Sequence, residues 1–189
     1  MAFHIYATEN NGKLPVASAG FWAWDLPWNL GTTLGNYGAP RNALYCPANP
    51  GQNQDPLWNY VPNSYRVIDY ALTLVGGGSI SVTNQNATLT PQSLPVGPSY
   101  VGPSLASQRA LVADATLSAP GQNNEAIRNS YNYTSIQSGF PPPMRTSHVD
   151  RYLPSGGNLG MLDGHVEWRV FSQMHVRTPP GSGTPVFWW

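Results

Sequence analysis

The fold is decided by the stretch Gly156-Gly157-Asn158-Leu159-Gly160-Met161-Leu162-Asp163-Gly164-His165-Val166-Glu167-Trp168-Arg169. Apolar side chains alternate on both sides of Asp163-Gly164, at Leu159, Met161, Val166, Trp168 and Val170. Asp-Gly between two alternating apolar runs is the strongest short-range hairpin signal, because a type I′ turn needs positive φ at both central residues. The sequence therefore predicts a β-hairpin over residues 159–171 that turns at Asp163-Gly164.

A short helix is predicted at the start of the chain, over residues 2–9. Phe3, Tyr6 and Ala7 have the spacing that places side chains on one helix face. Asn10-Asn11-Gly12 then supplies the end of the helix, because Gly accepts the left-handed conformation that follows a C-cap.

A second helix is predicted near residues 25–35, with Asp25 as its N-cap and Pro27 early, where a missing N–H costs little. The apolar run at 65–75 predicts a strand. The run at 108–114 is short, mostly apolar and bounded by polar segments, which predicts a buried strand.

The remaining segments are rich in Gly, Pro and polar residues, which predicts loops at 45–64, 90–106 and 116–147. Gly76-Gly77-Gly78 suggests a turn, followed by a small hairpin over 80–82 and 87–89. A helix packed on one face of a meandering antiparallel sheet with long ordered loops is an α+β architecture. The 189 residues suit one domain.

The composition excludes several classes of partner. Only 10% of the residues are charged, against a typical 25% or so, and nine basic residues balance nine acidic ones. This excludes a basic nucleic-acid surface and a polybasic membrane patch. The single cysteine, Cys46, excludes an intrachain disulfide and a multi-cysteine metal site, and is interpreted as a buried small hydrophobe.

Four segments carry a resemblance that spans nearly the whole chain. They are His148 with the Asn158–Trp168 stretch, residues 1–15, Leu44-Tyr45-Cys46-Pro47, and residues 174–178 with Phe187-Trp188-Trp189. In this order they resemble prepilin-type, pseudopilin-like proteins with an H-X9-DG domain, which are common in planctomycete, verrucomicrobial and lentisphaeral bacteria. Fourteen residues separate His148 from Asp163 here, where the name of the family implies nine.

The resemblance implies a pilin-like fold. Residues 1–14 would be the end of the pilin-type helix and its turn, and residues 15–189 one pseudopilin-like globular domain. The missing upstream helix would contact other pilin-like subunits and the membrane. The implied function is that of a structural subunit of a type II secretion pseudopilus or a type IV pilus-like filament. The implied location is periplasmic or extracellular, with an inner-membrane anchor before assembly.

His148, Asp163 and His165 are the candidate metal ligands, because imidazole and carboxylate groups bind zinc and other divalent ions. Asp150 and Asp114 could join them in space. The simpler interpretation is structural, with Asp163 capping the turn, His165 facing solvent and His148 bonded to a backbone carbonyl. We therefore expect no cofactor and no tightly held metal.

Two alternative functions remain open. A carbohydrate-binding module could bind polysaccharide through exposed aromatic side chains, namely Trp22, Trp24, Trp28, Trp58 and Phe187-Trp188-Trp189. A hydrolase could use an unrecognised Ser/His/Asp site. Ser147 and His148 are adjacent, which normally points their side chains apart, and a Gly-x-Ser-x-Gly elbow is absent from the sequence. The sequence therefore predicts no catalytic residue.

Overall fold

The computed structural model describes residues 1–76, 85–90, 105–137, 139, 143–178 and 184–189. The helices are α1 (Ala2–Glu9), α2 (Trp28–Asn36) and α3 (Asp55–Trp58). The strands are β1 (Asp25–Pro27), β2 (Tyr65–Val67), β3 (Tyr70–Leu72), β4 (Ala110–Asp114), β5 (Thr116–Ser118), β6 (Val149–Asp150), β7 (Leu153–Pro154), β8 (Gly156–Met161), β9 (Val166–Val170) and β10 (Val186–Trp188). The strands within these ranges pair antiparallel.

The predicted α+β class is confirmed by short helices and antiparallel sheets. The first strand of the small hairpin, residues 80–82, and most of the loop at 90–106 lie outside the described residues. No helix in the described part of the chain has the length and apolar character needed to cross a membrane.

Helix α1 occupies the predicted residues, but Asn11 rather than Gly12 takes the left-handed position directly after the C-cap, Asn10. Phe3 and Ala7 are buried on its inner face. Gly12 has a φ of 77°, and its N–H donates to the Ala7 carbonyl at 2.7 Å. Two successive left-handed residues, Asn11 with a φ of 56° and then Gly12, close the helix and redirect the chain.

Helix α2 begins later than predicted, at Trp28, because Asp25 belongs to strand β1. Asp25 is not an N-cap. Its carboxylate instead accepts hydrogen bonds from the Phe21 and Trp22 amides, at 2.6 and 2.9 Å. Asp side chains readily bond to nearby backbone groups, and here the preceding turn offers free N–H groups.

The central sheet has the strand order β3-β4-β8-β9. Strand β4, predicted to be buried, is paired on both sides. Ala71, Ala113 and Leu159 lie in adjacent register on one face and are buried in the core. The other face carries Tyr70, which lies directly across from Asp114.

Two predicted segments are divided differently in the structure. The run at 65–75 forms two strands of different sheets, β2 and β3, separated by Ile68 and the buried Asp69. The predicted loop at 116–147 begins with a buried strand, β5, which pairs with β10. Thr-Leu-Ser contains one apolar residue, so its burial depends on a partner strand about seventy residues later rather than on local pattern.

The predicted hairpin is confirmed as β8 and β9, but the type I′ turn is wrong. The Met161 N–H donates to the His165 carbonyl at 2.8 Å, and the Gly164 N–H donates to the Met161 carbonyl at 3.0 Å. Only Gly164 in this loop has positive φ, at 97°. The loop is thus a tight turn followed by a left-handed glycine. Leu162 is drawn inward, where it is buried and donates its N–H to the Arg109 carbonyl.

The described core consists of two apolar clusters, and strand β10 contributes to both. Phe187 lies in the larger cluster, with its ring centroid 5.6 Å from that of Trp24. Trp188 lies in the smaller cluster with Tyr133 and Phe171, and its indole N–H donates to Ser118 at 2.8 Å. Phe187, Trp188 and Trp189 fold back onto the domain and all three side chains are buried, so they are not the exposed aromatics that a carbohydrate-binding surface would need.

Removal of the Trp188 ring should destabilise the domain strongly. Trp188→Ala leaves a cavity between Tyr133 and Phe171, and we expect a loss of about 3–5 kcal/mol in the free energy of unfolding. Tyr152→Ala, at a side chain that is 77% exposed, is the control and should change stability by less than about 0.5 kcal/mol. The measurement is urea unfolding followed by tryptophan fluorescence and circular dichroism. Equal stabilities for the two variants would contradict the role given to β10.

The same substitution at two glycines should have opposite effects. Gly164→Ala forces a side chain into the left-handed region and should cost about 1–2 kcal/mol. Gly35 lies in α2 without positive φ and with open space around it, so Gly35→Ala should stabilise by about 0.4–1 kcal/mol. Thermal unfolding of the two variants tests the conformation of the hairpin loop. If Gly164→Ala leaves the melting temperature unchanged, residue 164 does not adopt the left-handed conformation.

Stability should depend on the protonation of Asp25. Burial raises the pKa of this carboxyl from 3.8 to about 7, although the Phe21 and Trp22 amides oppose the shift. The folded state therefore retains a proton that the unfolded chain loses above about pH 4, so this group makes stability fall between about pH 4 and 7. The slope is at most about 1.4 kcal/mol per pH unit.

Asp25→Asn keeps an oxygen that can accept both amide hydrogen bonds but cannot ionise. Its stability relative to the unmodified protein should therefore rise between pH 4 and 7, as measured by urea unfolding at several pH values. Asp150→Asn removes the same charge from an exposed position and serves as the control. A stability difference that stays constant with pH for Asp25→Asn would contradict the assignment.

Candidate functional site

Three side chains from distant parts of the chain converge on one point. They are Cys46, Asp114 and His148, whose Sγ, carboxylate oxygen and imidazole nitrogen all lie within 4.8 Å of one another. His148 Nε2 lies 3.3 Å from Cys46 Sγ and 3.0 Å from Asp114 Oδ2. Among the described residues, this is the one group of three His, Cys, Asp or Glu side chains close enough to share a metal ion.

Cys46 is held by the loop that follows the short helical turn at residues 41–44. Its backbone N–H donates to the Asp69 carboxylate at 3.3 Å. The Sγ atom interacts with the Ala48 amide and the Ser147 hydroxyl. Burial nevertheless prevails over these donors and raises the pKa of the thiol to about 11. The predicted burial of Cys46 is confirmed, and without a cation beside it the sulfur is a protonated thiol at neutral pH.

Asp114 enters the site from the end of strand β4 and is almost completely buried. Its Oδ2 atom accepts hydrogen bonds from the Asn158 backbone N–H at 2.6 Å and from the Asn158 side-chain amide at 2.9 Å. These donors come from the neighbouring strand β8. The pairing of β4 with β8 therefore fixes the direction of the carboxylate.

His148 has a backbone φ of 53°, in the left-handed region that non-glycine residues seldom adopt. The Ser155 N–H and hydroxyl both donate to the His148 carbonyl, at 2.9 and 2.8 Å, and hold this conformation. Trp168 packs against the imidazole edge-on, with ring centroids 5.0 Å apart. Strain of this kind often occurs at functional sites. His148 Nε2 faces a carboxylate and a sulfur, a contact that the sequence did not predict.

A second buried carboxyl, Asp69, lies directly behind the cluster. It accepts hydrogen bonds from the Asn49 amide at 3.2 Å and the Ser147 hydroxyl at 3.2 Å, besides the Cys46 N–H. Burial raises the pKa of Asp69 well above its ordinary value, although these donors oppose the shift. Asp69 thus ties the loop of Cys46 to the residue that precedes His148.

The other predicted ligands lie elsewhere. Asp163 and His165 contact each other at the hairpin loop, with Oδ1 and Nδ1 2.6 Å apart, and both are exposed. Asp150 is exposed in β6. Of the residues named as candidate ligands, only His148 and Asp114 lie together in the structure. Cys46, which was not named as a ligand, lies beside them. The signal for Cys46 was its place in the Leu-Tyr-Cys-Pro segment of the resemblance.

The arrangement does not have the geometry of a nucleophilic triad. A triad histidine faces the nucleophile with one nitrogen and its orienting carboxylate with the other. In this site a single nitrogen, Nε2, faces both Cys46 and Asp114. Ser147 is buried and donates to Asp69 instead. The geometry therefore gives no support to a Ser/His/Asp hydrolase at this point.

Most of the tryptophan side chains pack inside the domain. Trp24, Trp188 and Trp189 are buried. Trp28 and Trp58 enclose the Arg66 guanidinium, whose central carbon lies 3.5 and 4.1 Å from the two ring centroids. These contacts favour packing over a sugar-binding surface. Trp168, which is 46% exposed, is the tryptophan that presents the largest fraction of its surface to solvent among the described residues.

No family model, curated protein or solved structure matches this chain. Its function is therefore inferred from its own residues and their contacts.

Proposed function

We propose that this domain is the surface-exposed globular part of a pilin-like subunit, which assembles into a type II secretion pseudopilus or a type IV pilus-like filament. Such a subunit is placed in the periplasm or outside the cell, and its partners are other pilin-like subunits. The role is structural rather than enzymatic. One observation carries the proposal: the segments that resemble the H-X9-DG proteins, although far apart in sequence, contact each other in pairs.

The first pair joins α1 to the hairpin. His4 Nε2 lies 3.0 Å from the Leu162 carbonyl, and a Cβ atom at Gly164 would lie 3.5 Å from the same imidazole nitrogen. The second pair is Cys46 and His148, at 3.3 Å. A third joins the end segments, because the His175 N–H donates to the Trp189 carbonyl. Matched segments that depend on one another for packing support a shared fold better than isolated motifs do.

The longer spacing between His148 and Asp163 has a structural explanation. The intervening residues include the small antiparallel ribbon of β6 and β7. The residues on either side of the ribbon are hydrogen-bonded to each other, since the Ser155 N–H donates to the His148 carbonyl at 2.9 Å. Extra residues are therefore accommodated without moving His148 away from strand β8 and Trp168.

The geometry of α1 also suits a pilin-type subunit. The side chains of Phe3 and Ala7 are buried against the domain, whereas Met1, which precedes the helix, is 94% exposed. A helix of eight residues is marginal alone and depends on tertiary packing.

Strand β9 offers a surface for a neighbouring subunit. It is the edge of the central sheet, and Val166, Trp168 and Val170 are exposed along one of its faces. Glu167 and Arg169 alternate with them and form an ion pair on the other face. An apolar row on an edge strand is typical of a contact site.

The 189-residue chain alone should be monomeric at micromolar concentration, because the apolar row on β9 is small. Fusion to a prepilin leader and about twenty apolar helical residues should give peptidase processing and sheared filaments in cells that carry a pilus assembly system. Multi-angle light scattering tests the first statement, and electron microscopy with immunogold labelling of the domain tests the second.

The matched control is the same fusion with Val166→Lys, which keeps the leader and the helix but places a charge in the β9 row at a side chain that is 67% exposed. It should be processed normally and assemble poorly. If the unmodified fusion is processed and never forms filaments, the proposal is wrong. Ordered filaments from the 189-residue chain alone would likewise contradict it, because assembly would then not need the upstream helix.

A further inference from the structure

We propose that Cys46, Asp114 and His148 bind a divalent transition-metal ion of the Zn²⁺ type, which clamps three distant segments of the domain together. This site differs from the set His148, Asp163 and His165 suggested by the sequence, and it goes against the expectation that no metal is tightly held. It does not depend on the proposed role in filaments, because it uses contacts within one chain.

The distances between the three groups are close to those of a tetrahedral ion. Bonds of about 2.0–2.3 Å from zinc to N, O and S place neighbouring ligand atoms about 3.3–3.6 Å apart. The observed separations from His148 Nε2 are 3.3 Å to Cys46 Sγ and 3.0 Å to Asp114 Oδ2. Cys46 Sγ and the Asp114 carboxylate oxygen lie no more than 4.8 Å apart. The two separations from Nε2 therefore need to open by only a few tenths of an ångström to admit the ion.

The chemical types of the three ligands indicate which class of metal ion the site would bind. A thiolate and an imidazole favour Zn²⁺ and its neighbours over Mg²⁺ and Ca²⁺, which prefer oxygen ligands. The thiolate of Cys46 and the carboxylate of Asp114 together carry two negative charges, which a divalent ion neutralises in a buried site. Binding displaces the thiol proton to solvent, and the imidazole proton moves to Nδ1 so that Nε2 can bind the metal.

The surroundings already orient the ligands. Two donors from Asn158 hold Asp114, and the edge of Trp168 holds the imidazole of His148. The backbone N–H of Cys46 donates to Asp69, which holds the loop that carries the sulfur. Outer contacts of this kind set the direction and basicity of metal ligands.

The ion would add a direct bond among three parts of the fold that already meet through the hydrogen bonds of Asp69 and Ser147. Cys46 lies in a loop, Asp114 ends a central strand, and His148 precedes the β6–β7 ribbon. Three protein ligands leave one position of a tetrahedral ion for water. Tyr70 lies across from Asp114 in the sheet.

Co²⁺ is the probe, because a tetrahedral cobalt–thiolate site gives an intense near-ultraviolet charge-transfer band together with visible bands. The chelator-treated full chain should bind stoichiometric Co²⁺ with such a spectrum, and Zn²⁺ should displace it. Cys46→Ser should abolish the charge-transfer band, and His148→Gln should lower Co²⁺ affinity at least about tenfold. His165→Gln is the matched control at the hairpin loop and should bind as the unmodified protein does.

Folding is checked independently, by circular dichroism and thermal unfolding of each metal-free variant. Zn²⁺ should raise the melting temperature of the unmodified protein and of His165→Gln by several degrees, and leave that of His148→Gln unchanged. Absence of Co²⁺ binding at micromolar concentration in the folded, unmodified protein would overturn the proposal. So would a spectrum that survives Cys46→Ser or is lost in His165→Gln.

Discussion

The structure depends on the pairing of strand β4 with β3 on one side and β8 on the other. This pairing joins the middle of the chain to its C-terminal hairpin and buries Ala113 and Leu159 against each other. It also sets the cluster, because Asp114 is the residue at which β4 ends and its carboxylate is held by donors from β8. Without β4, both the core face of the sheet and the convergence of Cys46, Asp114 and His148 would be lost.

Features with local causes could be predicted from the sequence. Helix α1 and the β8–β9 hairpin follow from apolar spacing and from glycines at 12 and 164, which act within a few residues. Strand β5 could not be predicted in this way, because its burial comes from β10, far along the chain. Asp25 was misread for a similar reason: an N-cap and a turn acceptor have the same sequence signal, and the free amides decided between them.

The candidate site shows the same difference between features with local causes and features that depend on distant contacts. The motif indicates His148, and the end of a predicted strand indicates Asp114. Their shared partner is a lone cysteine, Cys46, which lies about seventy residues before Asp114 and about a hundred before His148. A single cysteine carries little information in a sequence, because most are simply buried. Only the fold shows that its sulfur meets an imidazole and a carboxylate, on a backbone strained at His148.

Strand β10 follows every other described element in the chain, yet its aromatic side chains complete both apolar clusters. The smaller cluster therefore cannot close before β10 has been synthesised. Until β10 emerges, Tyr133 and Phe171 lack their central partner and β5 lacks its paired strand. The packing of the two clusters is therefore completed only when the last described strand is available, which leaves apolar side chains exposed until then.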